Sequence, residues 1–231
     1  EFRGHKRNCD NFVCVPEIPF ERPRAPSFSL VPHWGDAEYV QAAAQAIEDI
    51  RDGRFYQINL LRYFELRERP TREEFVTRML HYGGPFSALI DVPGLRVASF
   101  SPERFCRIAL EQDTVVARTF PIKGTAPRSA DPARDEENAR ALLRCPKNRA
   151  ELAIIVDLMR NDFRAIAEPH SVEVLAYPTL KSFANVHHLE AEIAAALRQH
   201  LTWGEFFGAV CPGGSITGAP KREVMKAIRQ T

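Results

Sequence analysis

Between Phe86 and Thr119 the chain repeats one short pattern, a few branched or aromatic residues followed by turn formers. Phe86–Val92, Leu95–Phe100, Arg104–Leu110 and Thr114–Thr119 read as three or four successive strands. Connections this short suit antiparallel neighbours, because a parallel pair needs a crossover of a dozen or more residues. Helical spacing appears on both sides of this run. Val40, Ala43, Ala44, Ile47 and Ile50 predict a helix from an Asp36 N-cap to Gly53. Phe55–Leu66 then reads as a strand. Thr71-Arg72-Glu73-Glu74 is a capping box opening a helix through Leu80, stopped by Gly83-Gly84-Pro85. Asp131-Pro132 starts a helix to about Leu143, and a second covers Arg149 to Arg164 with Leu152, Ile155, Val156 and Met159 on one side. Strands resume at Ser171–Tyr177 and around Ser182–Ile193. Thr202-Trp203-Gly204-Glu205 is another capping box, and a last helix is expected from about Ala219. Strands and helices mixed without strict alternation give an α+β class.

Composition excludes several functions. Of 231 residues, 45% are hydrophobic and 26% charged, close to an average globular chain and far from a disordered or disulfide-dense one. Lys and Arg number 31 against 30 Asp and Glu, so no charge bias invites nucleic acid or an anionic membrane. No apolar run approaches the roughly 18 residues of a spanning helix, and the opening EFRGHKRNCD lacks the apolar core of a signal peptide. Cys9, Cys14, Cys106, Cys145 and Cys211 have no C-x-x-C spacing and read as reduced thiols of a cytoplasmic protein. Prolines at 16, 19, 23, 26 and 32 mark residues 1–34 as a linker or partial N-terminal segment, with one domain over 35–231. The chain starts without Met and stops at Ala227-Ile228-Arg229-Gln230-Thr231 inside helical pattern. It therefore reads as a fragment, truncated at both ends.

Five segments combine residue types that could carry chemistry. Cys211-Pro212-Gly213-Gly214-Ser215-Ile216-Thr217-Gly218-Ala219-Pro220-Lys221 has the glycines and hydroxyls of a carboxylate or phosphate cradle, or of a tight structural turn. It lacks G-x-x-x-x-G-K-[ST], which argues against a nucleotide loop. Phe120-Pro121-Ile122-Lys123-Gly124-Thr125 places a lysine just after a strand. Such a lysine is a nucleophile if desolvation lowers its pKa, and otherwise a solvated charge. Glu151 lies on a different side of its helix from Asp157. Buried, such carboxylates need Mg²⁺ or Arg; Asp157, Arg160, Asn161 and Asp162 read as a structural ion-pair network. His187 and His188 point to opposite sheet faces, so one can serve as an acid/base or both can be structural; ligand spacing for zinc is absent. Glu103, in Ser101-Pro102-Glu103-Arg104-Phe105, is either an acid or an ion-pair partner.

Together and in order, these segments resemble the chorismate-utilising enzymes. The resemblance also takes in Gly53-Arg54-Phe55-Tyr56-Gln57-Ile58-Asn59-Leu60, Pro85-Phe86-Ser87-Ala88, Arg149-Ala150-Glu151, Ile155 through Asp162, and His187-His188-Leu189. It spans about residues 30 to 229 and implies two packed, mainly antiparallel sheets flanked by helices. Within the family, anthranilate synthases typically carry P-I-A-G-T where this chain has Pro121-Ile122-Lys123-Gly124-Thr125. The lysine resembles aminodeoxychorismate synthase component I. That likeness implies chorismate and ammonia as substrates and a covalent adduct on Lys123. Glu103 would be the acid, His188 a contact of the reacting ring, and Glu151 the ligand of Mg²⁺. Gly124, Thr125, Ser215, Ile216, Thr217 and Gly218 would bind substrate, and a glutamine amidotransferase would be the partner supplying ammonia. Three features depart from the pattern. Asn148 stands where many relatives carry a carboxylate, Glu190-Ala191 replaces a hydrophobic-Ser pair, and the family continues past Thr231 with further substrate and metal ligands. Two other readings follow from these departures: an inactive fragment or pseudoenzyme that binds chorismate or an amidotransferase, and an anthranilate synthase.

Overall fold

The computed structural model describes residues 29–84 and 86–230; most of the expected linker over 1–34, and Pro85, lie outside the described residues. In chain order the first elements are β1 (Leu30–Pro32), α1 (Asp36–Arg51), β2 (Gln57–Ile58), β3 (Phe64–Leu66), α2 (Arg72–Tyr82), β4 (Ala88–Val92) and β5 (Leu95–Ser99). Then come β6 (Arg107–Glu111), β7 (Thr114–Thr119), β8 (Ile122–Pro127), α3 (Pro132–Arg144), α4 (Pro146–Arg164), β9 (Glu173–Ser182) and β10 (Val186–Ala196). The chain ends in α5 (Trp203–Val210), α6 (Gly214–Thr217), β11 (Gly218–Ala219) and α7 (Lys221–Gln230). The α+β expectation holds, and every described strand pairing is antiparallel.

The described residues form two compact units. One comprises residues 29–33 and 63–102. In it β1 pairs with β3, and β4 and β5 form a hairpin closed over Pro93-Gly94. Gly94 takes φ +81° in that turn, a left-handed conformation glycine adopts without a Cβ penalty. Thr71 caps α2 as expected: its hydroxyl accepts from the Glu74 N–H, and the Glu74 carboxylate accepts from the Thr71 N–H.

The other unit, residues 34–62 and 103–230, holds the main core. Its sheet has β10 as the central strand. One edge of β10 pairs with β9, and the other pairs with β8 over its first half and β7 over its second. β7 and β8 are thus nearly one strand, interrupted at Phe120-Pro121, where proline offers no N–H and its carbonyl accepts from Ala191. β6 completes the sheet beyond β7. Along β10 the buried residues alternate as His187, Leu189, Ala191 and Ile193. Helices α3 and α4 pack on this strand and β8. From α4 the predicted stripe of Leu152, Ile155, Val156 and Met159 is buried, as are Leu158 and Phe163.

Several boundaries differ from expectation for visible reasons. Phe55–Leu66 is two short strands, because Asn59 leaves the strand path to bond the 213–218 segment while Arg62 Nε donates to the Trp34 carbonyl. Gly35, not Asp36, caps α1; Asp36 is the first helical residue and its carboxylate pairs with Arg62 at 2.7 Å. The Lys123 segment is strand rather than loop. The helix expected near Ala219 starts at Lys221, since Gly218 and Ala219 pair with Ile58 and Gln57. Finally, Val40, Ile47 and Ile50 on α1 have the helical spacing read from sequence but are exposed, at 65%, 50% and 39%.

Candidate active site

His187 and His188 separate as the strand period requires. His187 is buried on the helix-covered face of β10. Its ring nitrogens lie 2.8 Å from the Ser182 hydroxyl and 3.1 Å from Asp135 on α3. Asp135 is in turn clamped by Arg128 at 2.9 Å, and that guanidinium, with the Ser129 N–H and His187, holds its carboxyl well below the usual range. This histidine is structural. His188 is half-buried on the opposite face, with Nδ1 3.0 Å from the Thr125 hydroxyl and its ring edge-on to Phe183. Glu190 and Glu192 follow on that same face by alternation.

Across from them, β8 carries a bulge. His188 is level with Thr125 and Leu189 with Lys123, so Gly124 is the extra residue. Its φ is +80°, and a Cβ there would meet the Asn148 side chain at 2.9 Å. Only glycine satisfies both conditions, and the bulge sets the direction of the Lys123 backbone. Asn148 thus packs the first turn of α4 against the lysine segment.

Glu103 lies beside this bulge. Ser215 donates its hydroxyl to Glu103 Oε1 at 3.0 Å, the Ile122 N–H bonds it as well, and the Lys123 ammonium is close enough to act on it electrostatically. Burial nevertheless raises the carboxyl above its ordinary value; the three partners pull it down, and Glu190 pushes it up further. A carboxylic acid that retains its proton next to an amine can donate that proton to a leaving group while the amine attacks.

The glycine-rich segment is fixed from below. Gly218 has φ +135°, and a Cβ on it would stand 2.1 Å from the Gln57 carbonyl oxygen. Asn59 donates its N–H to the Thr217 carbonyl at 2.8 Å and its side-chain amide to the Ser215 carbonyl at 2.5 Å. Asn59 had no role in the sequence reading; its one signal was a polar amide within an otherwise strand-like run. The four expected substrate contacts here fall apart into different situations. The Ser215 hydroxyl faces Glu103, Ile216 is exposed at 58%, Thr217 is buried with its hydroxyl on the Gly213 carbonyl at 3.1 Å, and Gly218 is committed to backbone pairing with Ile58.

Glu151 sits in the second turn of α4, its side chain 36% exposed, with Lys147 Nζ at 3.8 Å. Among the described residues no group of three His, Cys, Asp or Glu is placed to hold a metal. Mg²⁺ usually keeps waters and substrate oxygens and takes one or two carboxylates, so a single accessible Glu151 suits a shared protein–substrate site. Further along α4, Asp162 pairs with Lys221 at 2.5 Å; burial of its carboxyl raises it, opposed by that lysine. This ion pair borders a cavity of about 480 Å³ with Tyr56, Ile154 and Leu158, which none of Lys123, Glu103, His188 or Glu151 lines. Among the described residues no helix is long and apolar enough to cross a membrane.

Known proteins bear on this geometry directly. Residues 5–231 match the family model described as chorismate binding enzyme. Aminodeoxychorismate synthase component 1 of Klebsiella aerogenes is 40% identical over 211 residues, covering 89% of this chain and 46% of the relative. An anthranilate synthase component 1 of Haloarcula marismortui is 35% identical over 196 residues, 84% of this chain and 38% of the relative. The crystal structure of anthranilate synthase component I from Streptococcus pneumoniae superposes with a TM-score of 0.74 at 25% identity, over 88% of this chain and 44% of that one. The chain spans about half the length of the curated relatives it matches. With its ordered motifs folded onto one sheet and a family match over nearly its whole length, this chain belongs to the chorismate binding enzyme family.

Proposed function

We propose that the protein acts as aminodeoxychorismate synthase component I, making 4-amino-4-deoxychorismate from chorismate and ammonia. The observation that carries this reading is Lys123 beside Glu103, a half-buried carboxyl whose value is raised by burial. Lys123, as the free amine, attacks C2 of chorismate while the double bond shifts and the C4 hydroxyl leaves. Glu103 gives that hydroxyl its proton, so water departs. Ammonia then attacks C4, the double bond shifts back and the C2–nitrogen bond to Lys123 breaks. The ammonia loses a proton, and the site returns to its starting charge once Glu103 is reprotonated. Ser215 orients the Glu103 carboxyl, and the Thr125 hydroxyl fixes the His188 ring against the reacting region. Glu151 would hold Mg²⁺, which when bound neutralises substrate carboxylate charge. Gly124, Thr125, Ser215, Ile216, Thr217 and Gly218 would form the walls that receive chorismate. A separate glutamine amidotransferase component would supply ammonia in place, and the composition fits work in the cytoplasm.

The test is an assay with chorismate, Mg²⁺ and ammonium at mildly alkaline pH, following products by mass, with Lys123→Ala alongside. Formation of 4-amino-4-deoxychorismate that is lost in Lys123→Ala is expected. Anthranilate as the product would overturn the assignment to Lys123. The chain's span of about half its relatives supports a second reading, a chorismate-binding fragment without turnover. A folded chain that binds chorismate and makes neither product would select it.

A further inference from the structure

Glu190 interrupts the otherwise neutral or paired surroundings of the Lys123–Glu103 pair. It lies on β10 two residues beyond His188 and on the same sheet face, level with Ile122 on β8 and Thr179 on β9. Its side chain is only 16% exposed, and its Oε1 stands 3.7 Å from Lys181 Nζ on β9. A carboxylate in that position desolvates at a cost, which one lysine at that distance only partly offsets. Burial accordingly raises the Glu190 carboxyl, Lys181 and Arg104 lower it, and Glu192 raises it. Glu103 registers Glu190 as well as Lys123. The charged groups facing these two carboxyls are therefore Lys123 from β8, Lys181 from β9, Glu192 from β10 and Arg104 from the strand entry.

We infer that Glu190, anchored by Lys181, is a positioning residue of this site, whose carboxylate faces Glu103 across the β8–β10 pairing and keeps a proton on it. This rests on the proposed function only for the use made of that proton. A negative charge beside Glu103 favours its neutral form, the form able to protonate a departing hydroxyl. Lys181 places the charge and tempers it. Without Glu190, Glu103 would ionise more readily beside Lys123, and the general acid would be spent before the amine attacks.

The test is made on this chain with its glutamate side-chain carboxyls labelled with ¹³C. Glu103→Gln assigns the Glu103 signal by its loss, and the titration midpoint of that signal is compared among variants. Glu190→Gln preserves shape and should move the Glu103 midpoint to lower pH; Glu190→Asp should return it toward the original value. Lys181→Met, which removes the tempering cation, should move it to higher pH. An unchanged midpoint in folded Glu190→Gln overturns the inference, whether or not the chain turns over chorismate. Where turnover is present, the alkaline limb governed by protonated Glu103 should shift to lower pH in Glu190→Gln. Its rate then falls by a larger factor above the limb than below it. A uniform loss at every pH would mark Glu190 as merely structural.

Discussion

Gly218→Ala should be the most disruptive single-methyl addition to the glycine-rich segment, and its cost can be worked from geometry. Gly218 sits at φ +135°, ψ −169°, a region essentially confined to glycine, so alanine there costs about 1–3 kcal/mol in strain. The new Cβ would also lie 2.1 Å from the Gln57 carbonyl oxygen. Backbone cannot yield as a side-chain tip can, so β11 and β2 have to part. That removes or weakens the Tyr56 N–H to Ala219 carbonyl bond and the Asn59 N–H to Thr217 carbonyl bond, both 2.8 Å. At about 0.5–1.5 kcal/mol each, the two bonds add about 1–3 kcal/mol, for a total of about 2–6 kcal/mol. Gly53→Ala is the control in the same unit. Gly53 also has positive φ, +75°, but a Cβ there meets nothing within 4 Å, so only the left-handed penalty of about 1–2 kcal/mol remains. Urea unfolding of both variants gives the difference, and hydrogen exchange at the Tyr56 and Asn59 amides shows where it arises. Equal destabilisation of the two variants, with protection of those amides retained in Gly218→Ala, would refute the close-approach reasoning.

Two further perturbations probe the lysine strand and the helix-covered face. Gly124→Ala should destabilise by about 1–3 kcal/mol, and adding Asn148→Ala should recover the contact part but not the backbone part, since the Asn148 side chain lies 2.9 Å from the added Cβ while φ stays at +80°; a double-mutant cycle by urea unfolding with no coupling would contradict this. Asp135 is held below the unfolded carboxylate value by Arg128, the Ser129 N–H and His187, so its contribution to stability is complete above that unfolded value and fades as acid protonates it. Asp135→Asn should therefore lower stability at neutral pH and flatten its fall between neutral and acid pH, and a parallel fall in both proteins would remove Asp135 from the account.

What the sequence made legible was whatever repeats locally. The capping boxes at Thr71 and Thr202 place their helices correctly because the two reciprocal hydrogen bonds form within four residues. The α4 stripe of Leu152, Ile155, Val156 and Met159 could be read because one sheet buries it. By contrast, α1 carries a stripe of the same spacing that the described structure leaves exposed; periodicity states which face is apolar, not what meets it. The Lys123 segment reads as a loop because proline and glycine flank the lysine. Pairing with β10, more than sixty residues later, makes it a strand, and Gly124 becomes a bulge in that strand. Likewise no local signal says that Asn59 holds Ser215 and Thr217, at a separation of 156 residues from the first.

The same long-range pairing explains why the candidate chemistry is assembled on β10 at all. The central strand has two faces, and one is committed to α3 and α4, where any buried polar group must be fully bonded; His187 meets this with Ser182 and Asp135. The other face can hold groups whose protonation changes, because its half-exposed carboxyls are tempered by single lysines rather than locked by several bonds. A one-residue slip of β10 would exchange His187 with His188 and turn Glu190 into the helix-packed core, at the cost of an unpaired buried carboxylate. The register of this strand is therefore fixed by the same charges that give its open face its reactivity. Removing them should loosen both together. Glu190→Leu, an apolar residue tolerated on either face, should permit register heterogeneity in β10, visible as doubled backbone amide signals for His188 and Leu189. Glu190→Gln, still polar and still unsuited to the core, should keep a single set of signals. Doubling in both variants, or in neither, would separate the register of the strand from the charge it carries.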